Sequence, residues 1–238
     1  CEKPFSNNDY FLVLLVDAKH LDYSDAQTLF STISKHANGS HERDVGHAWM
    51  ILSGKKEGKR VWVEGGHSGE RGIWQPRYLE GIFCNETAPN PVQYLFTSLN
   101  DGYFEVGPGR HKPTYAIRLE LDEKTFLQLY ELIQPERYHF TEYSLIQSQC
   151  TTFVAKLASL ASLELEGEVQ VSIPQYITFD AKKFRLWQDP KFQAIQFASP
   201  DILEKSMIHA VEEGKASVAL RWYREKWPTL KKSLEAQF

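Results

Sequence analysis

Six consecutive apolar residues, Phe11-Leu12-Val13-Leu14-Leu15-Val16, constrain the fold of this chain more than any other feature. A strand with one wet face alternates apolar and polar side chains. An unbroken run has to be covered on both faces. The run is therefore expected to be a buried strand with other elements packed on either side.

The remaining pattern supplies candidates for those elements. His47 to Leu52 reads as a second strand, and the turn Ser53-Gly54-Lys55-Lys56-Glu57-Gly58 leads into a third, Arg60-Val61-Trp62-Val63-Glu64. Tyr115 to Leu121 alternates cleanly and is expected to be a fourth. Helix starts are expected at Ser24-Asp25, with Leu29, Phe30 and Ile33 on one face and Gly39 at the end, and at Asp122. The second of these carries Phe126, Leu129, Leu132 and Ile133 before Pro135. A further helix is expected over Ser148 to Leu163, followed by a strand at Val169 to Ile173. The Gly-, Pro- and Asn-rich region 65–109 is expected to be loops around short pieces of structure. From about residue 190 the pattern turns helical and basic. An α+β fold is expected, with a tether at 1–9, one domain at 10–180 and a helical extension at 181–238.

Apolar residues make up 42% and charged residues 24%, and the net charge is −4. This balance gives no reason to expect a nucleic-acid partner. No apolar run approaches the roughly 18 residues of a membrane-spanning helix. Cysteines at 1, 84 and 150 make neither a disulfide framework nor a paired zinc motif. Cys84 is expected to be a half-buried small hydrophobe.

Chemistry concentrates at Ser148-Gln149-Cys150-Thr151-Thr152-Phe153, where a cysteine stands at the expected start of an apolar helix. There it meets the positive end of the helix dipole and unpaired backbone N–H groups, which favour a thiolate and can stabilise an oxyanion. The alternative is a buried cysteine packed with Phe153 and Leu157, but its neighbours are polar. His47, opening a strand, is the expected base; the alternative is a hydrogen-bonded structural histidine. Glu64, at the end of the next strand, is expected to orient the imidazole, with His67 in the Gly-rich turn as its competitor.

Two rivals are weaker. His41, Glu42, Asp44, His47, Glu64 and His67 cluster in sequence, yet no His-Glu-x-x-His helix fixes a ligand face, and no metal or other cofactor is expected. Gly65-Gly66-His67-Ser68-Gly69-Glu70-Arg71-Gly72 lacks the Lys-Ser/Thr ending of a phosphate loop. It is expected to be a turn or a lip.

The histidine strand, the following strand ending in a polar residue, and a late helix beginning Cys-Thr-Thr-Phe-Val resemble the circularly permuted NlpC-type papain-like hydrolases. That group includes the YiiX-like and lecithin–retinol acyltransferase-like proteins. The resemblance covers roughly residues 10–165, and Tyr138 to Tyr143 loosely matches the tyrosine-bearing stretch seen there. It implies a papain-like antiparallel sheet packed against the cysteine helix, with Cys150 as nucleophile, His47 as base and Glu64 as orienter. The implied activity is amide or ester hydrolysis, or acyl transfer, on an envelope peptide or lipid acyl substrate. The 65–109 insert and the tail after 180 depart from the pattern. A non-catalytic envelope module on the same scaffold is the alternative, and Trp62, Trp74 and Tyr78 near the expected cleft would suit glycan or lipid contact as well as core packing.

A first residue of cysteine followed by Glu2-Lys3-Pro4 resembles a bacterial lipoprotein after signal-peptide removal. This implies lipidation at Cys1, membrane association through it, and an envelope location. The alternative is a chain start that happens to fall on cysteine. The basic tail around Trp222 and Trp227 is expected to dock those indoles into the core rather than lie on a membrane.

Overall fold

A computed structural model of the chain describes residues 8–26, 28–29, 45–69, 82, 84–179 and 182–235. The apolar run forms β1 (Phe11–Asp17), buried at every position. It lies inside a six-stranded sheet with β2 (His47–Lys56), β3 (Lys59–Gly69), β4 (Gly102–Val106), β5 (Tyr115–Glu120) and β10 (Ser217–Val218). The order is β10-β5-β1-β2-β3-β4 and every pairing is antiparallel. An α+β fold around a large antiparallel sheet is the result.

Both faces of β1 are covered, as an unbroken apolar run requires. On the first face, Leu12, Leu14 and Val16 join Ala48, Met50 and Leu52 of β2. They pack against Phe126 and Leu129 of α1 (Glu123–Leu132), Phe153, Val154 and Leu157 of α2 (Cys150–Leu160), and Leu203 and Met207 of α3 (Pro200–Glu212). On the second face, Phe11, Val13 and Leu15 join Trp49 and Ile51. These meet Trp222 of α4 (Leu220–Glu225) and Trp227 and Leu230 of α5 (Trp227–Glu235). The tail tryptophans dock into the core, as expected.

Two expectations need correction. The glycine-rich stretch expected as a turn or lip is strand over its described residues: β3 continues through Gly65-Gly66-His67-Ser68-Gly69, and Gly102–Val106 pairs beside it. These glycines permit close approach rather than turning. A Cβ on Gly65 would stand 2.4 Å from the Glu105 carbonyl oxygen and 2.5 Å from the Phe104 ring. Nor is 181–238 a helical extension. It contains β8 (Lys182–Arg185), which pairs with β7 (Tyr176–Phe179), and β9 (Ala194–Ala198), which pairs with β6 (Glu168–Ser172). Its α3 fills the first face, its α4 and α5 cover the second, and β10 lengthens the sheet. The chain returns to complete both layers.

Asp122 caps α1 through Thr125 N–H at 2.7 Å, as the sequence predicts. At the earlier expected helix, the Asp25 carboxylate accepts from Thr28 N–H at 2.7 Å. Phe30, Ile33 and Gly39 lie outside the described residues, as do Cys1, His41, Glu42, Asp44, Trp74 and Tyr78. Cys84 is exposed rather than half-buried.

Candidate active site

Cys150 is the first residue of α2. The helix does not begin at Ser148, because Ser144 and Ser148 exchange two backbone hydrogen bonds, of 2.7 and 3.1 Å, in an isolated bridge. Gln149 is then extended and serves as N-cap. Its side-chain oxygen accepts from Thr151 N–H at 2.9 Å, while the Thr152 hydroxyl accepts from its backbone N–H at 2.8 Å. The Gln149 amide also donates to the Ala198 carbonyl, tying the helix start to β9. The Cys150 thiol donates to the same Gln149 oxygen, with Sγ 3.3 Å away, and the residue is only 6% exposed.

His67 is the imidazole that shares the cysteine's side of the sheet. Met50 lies opposite Gly65 in the β2–β3 register. His67, two residues beyond Gly65, therefore points to the same first face. It is fully buried. Its Nε2 lies 3.0 Å from the Phe140 carbonyl oxygen, which only accepts, so Nε2 carries the proton. Its Nδ1, 3.2 Å from the Tyr138 hydroxyl, is then the acceptor and the phenol the donor. Burial holds the His67 pKa down at about 4, although the Phe140 bond pulls it up.

Tyr138 touches both this imidazole and the cysteine helix. Its ring packs on Phe153 of α2, with centroids 4.9 Å apart. Burial pushes its phenol up to about 12; hydrogen bonding with Ser148 opposes this and the proximity of Cys150 adds to it. The phenol thus bonds to the imidazole while its ring packs on the helix that Cys150 opens. The Phe140 carbonyl holds the far ring nitrogen.

Gly102 makes room for that carbonyl. A Cβ there would stand 2.2 Å from the Phe140 oxygen and 2.9 Å from His67 Nε2. Gly102→Ala is expected to displace Phe140 and break the bond that sets the His67 tautomer. It should destabilise the protein by about 1–3 kcal/mol, the cost of overpacking a buried site. Urea unfolding measures the loss, and histidine ring ¹⁵N shifts should show His67 no longer held as the Nε2–H form.

The other assigned residues are corrected. His47 lies on the second face, because alternation sends Ala48 and Met50 toward α2 and His47 and Trp49 away from it. Its ring stacks on Trp49 at 5.9 Å and on His111 at 4.7 Å. The backbone of the sheet separates it from Cys150. Glu64 faces Ile51, not His47, in the register. Its carboxylate, buried on the second face, accepts from Tyr223 Oη at 3.1 Å, Trp227 Nε1 at 3.1 Å and Lys231 Nζ at 2.8 Å. It anchors the C-terminal helices. Of the two residues weighed as third member, only His67 is on the cysteine's side, and its Nε2 partner is a backbone carbonyl with no sequence signature.

Buried neutral imidazoles make stability depend on pH. Burial, with a smaller contribution from His111, drops the His47 pKa to about 3; His67 stands at about 4, and both lie below 6.5 for an unperturbed histidine. Between those values the unfolded chain binds more protons than the folded one, so stability falls as pH falls. Their stabilising contribution is complete above about pH 6.5. From there to pH 5, each histidine is expected to cost about 2 kcal/mol. Urea unfolding at pH 7 and pH 5 checks this, and equal midpoints would contradict it.

Comparison of the chain with protein-family models, curated proteins and solved structures gave no match.

Proposed function

We propose that this chain is a thiol hydrolase or acyltransferase on a papain-like core of the permuted NlpC type. Cys150 is the nucleophile, His67 the base and the Phe140 carbonyl the orienter. The observation that carries this reading is the Tyr138 hydroxyl, which donates to an imidazole locked in one tautomer while its ring lies against the cysteine helix.

In the proposed relay the thiol turns from the Gln149 oxygen to the Tyr138 oxygen and passes its proton there, as the phenol proton passes to His67 Nδ1. The sulfur then attacks the carbonyl carbon of an amide or ester, and the C=O π pair moves onto oxygen. The Cys150 N–H, at the first position of α2, stabilises that oxyanion. Collapse breaks the bond to the amine or alcohol, which leaves with the proton returned from His67. Water or a second acceptor cleaves the thioester and restores the thiol. The substrate class we propose is an envelope peptide or a lipid acyl group.

A second reading, a non-catalytic module on the same scaffold, draws support from the closed state of the site. Both His67 nitrogens are engaged and Cys150 is almost covered.

Incubation with p-nitrophenyl acetate, followed by intact mass and peptide mapping, separates the readings. The enzyme is expected to gain an acetyl group on Cys150 that turns over, and Cys150→Ala is expected to abolish turnover. Full turnover by Cys150→Ala would overturn the proposed mechanism. Acetylation confined to exposed Cys84 would favour the non-catalytic module.

A further inference from the structure

The second face carries a polar group that the proposed chemistry does not use. At the end of the sheet, His47 of β2, Glu105 of β4, Ser68 of β3 and Asp17 of β1 converge with His111. Asp17 is saturated: its Oδ2 accepts from Lys19 Nζ at 2.8 Å and pairs with His111 Nδ1 at 2.9 Å. His47 is not. It is 5% exposed, and its Nε2 has no hydrogen-bond partner among the described residues. A buried acceptor or donor left unmade costs about 1–3 kcal/mol, so such an atom requires an explanation.

The atom facing it is a carboxylate oxygen. Glu105 Oε2 lies 4.0 Å from His47 Nε2, too far for a direct hydrogen bond. Ser68 Oγ donates to that oxygen at 2.7 Å, and no lysine or arginine among the described residues pairs with Glu105. The two atoms are thus one uncompensated negative charge and one imidazole nitrogen. Burial keeps that imidazole neutral. Gly66 lies close beside it, since a Cβ there would stand 3.2 Å from Nε2. The Glu105 side chain is 27% exposed, which gives access from solvent.

We propose that His47 Nε2 and Glu105 Oε2 form a binding site for a primary ammonium group, separate from Cys150. A nitrogen bridging both atoms, at about 2.9 Å from each, would make an angle of about 90°, close enough to tetrahedral for two N–H bonds of one ammonium. One donates to the imidazole and the other to the carboxylate, whose charge the ammonium neutralises. A divalent cation fits less well: no group of three or more His, Cys, Asp or Glu among the described residues could hold one.

The test uses the full chain with ¹⁵N-labelled histidine at pH 7, titrated with ethylammonium chloride, with tetramethylammonium chloride, which has the charge but no N–H, and with zinc chloride. Ethylammonium is expected to shift the His47 ring resonances saturably, and tetramethylammonium to leave them unmoved. Glu105→Gln is expected to weaken the ethylammonium response at least tenfold. Cys150→Ala should retain it, so failure of the proposed thiol chemistry would not remove it. Equal shifts with both amines, no saturable shift, or a response to zinc alone would overturn the proposal. The comparison of the two amines on the unmutated chain decides the matter even if Glu105→Gln fails to fold.

Discussion

Replacing His67 with Asn is expected to slow acylation of Cys150 by about 10²–10⁴-fold, the usual contribution of a positioned general base. Asparagine keeps a polar side chain on β3 but presents no basic nitrogen to Tyr138. The thiol proton then has nowhere to go, and the loss should fall on the acylation rate rather than on binding of the ester substrate. Stopped-flow release of p-nitrophenol measures it directly. His47→Asn is expected to cost less than tenfold, because its ring lies across the sheet among Trp49, His111 and Gly66. The reverse ranking would place the base on the second face and contradict the assignment.

The second large effect concerns Glu64. Glu64→Ala is expected to destabilise the protein by about 3 kcal/mol. Removing one partner of a buried ion pair costs about 3–5 kcal/mol. Lys231 is 29% exposed and regains water, which places the expectation at the low end. Trp227 Nε1, however, loses its acceptor in a buried setting, and Tyr223 Oη loses its own. For a chain of this length, about 3 kcal/mol corresponds to a fall in Tm of roughly 6–12 °C. Glu64→Gln, which keeps an acceptor, should lose less. Thermal unfolding measures both, and the alkylation rate of Cys150 in the folded protein should be unchanged. A variant of normal stability with a slowed thiol would restore Glu64 to the site and refute the anchoring role.

Much of the fold was legible because period and burial are written locally. The apolar run of β1 announced a strand covered on both sides, and Asp122 announced the start of α1. The Cys150 helix start could be read from the polar residues ahead of Phe153, although the two backbone hydrogen bonds between Ser144 and Ser148 move it two residues on. The strand in Gly65 to Gly69 was hidden. Its glycines serve close packing against β4, and that partner is remote in sequence.

Of the candidate site, the sequence shows where the cysteine stands but not which way the histidines face. Cysteine at a helix start carries its own physical argument, whereas the choice of histidine depended on which way a strand faces. A shift of one residue sends a side chain through the sheet, and neither His47 nor His67 displays its face without the β2–β3 register. His67, set among glycines, looked like a turn residue. Tyr138 stood in view ahead of the cysteine without a role, and the Phe140 carbonyl could not be found from side-chain identity at all. Glu64 carried the opposite difficulty. It is a carboxylate in a plausible place, and its partners Tyr223, Trp227 and Lys231 return from the far end of the chain.

Alkylation of Cys150 with iodoacetamide in a chain carrying Cys1→Ser and Cys84→Ser, read by histidine ring ¹⁵N spectra before and after, tests the pairing of thiol and imidazole most directly. The His67 resonances should begin as a neutral Nε2–H imidazole and move when the sulfur is capped, while those of His47 stay in place. Movement of His47 with His67 unchanged would contradict the assignment.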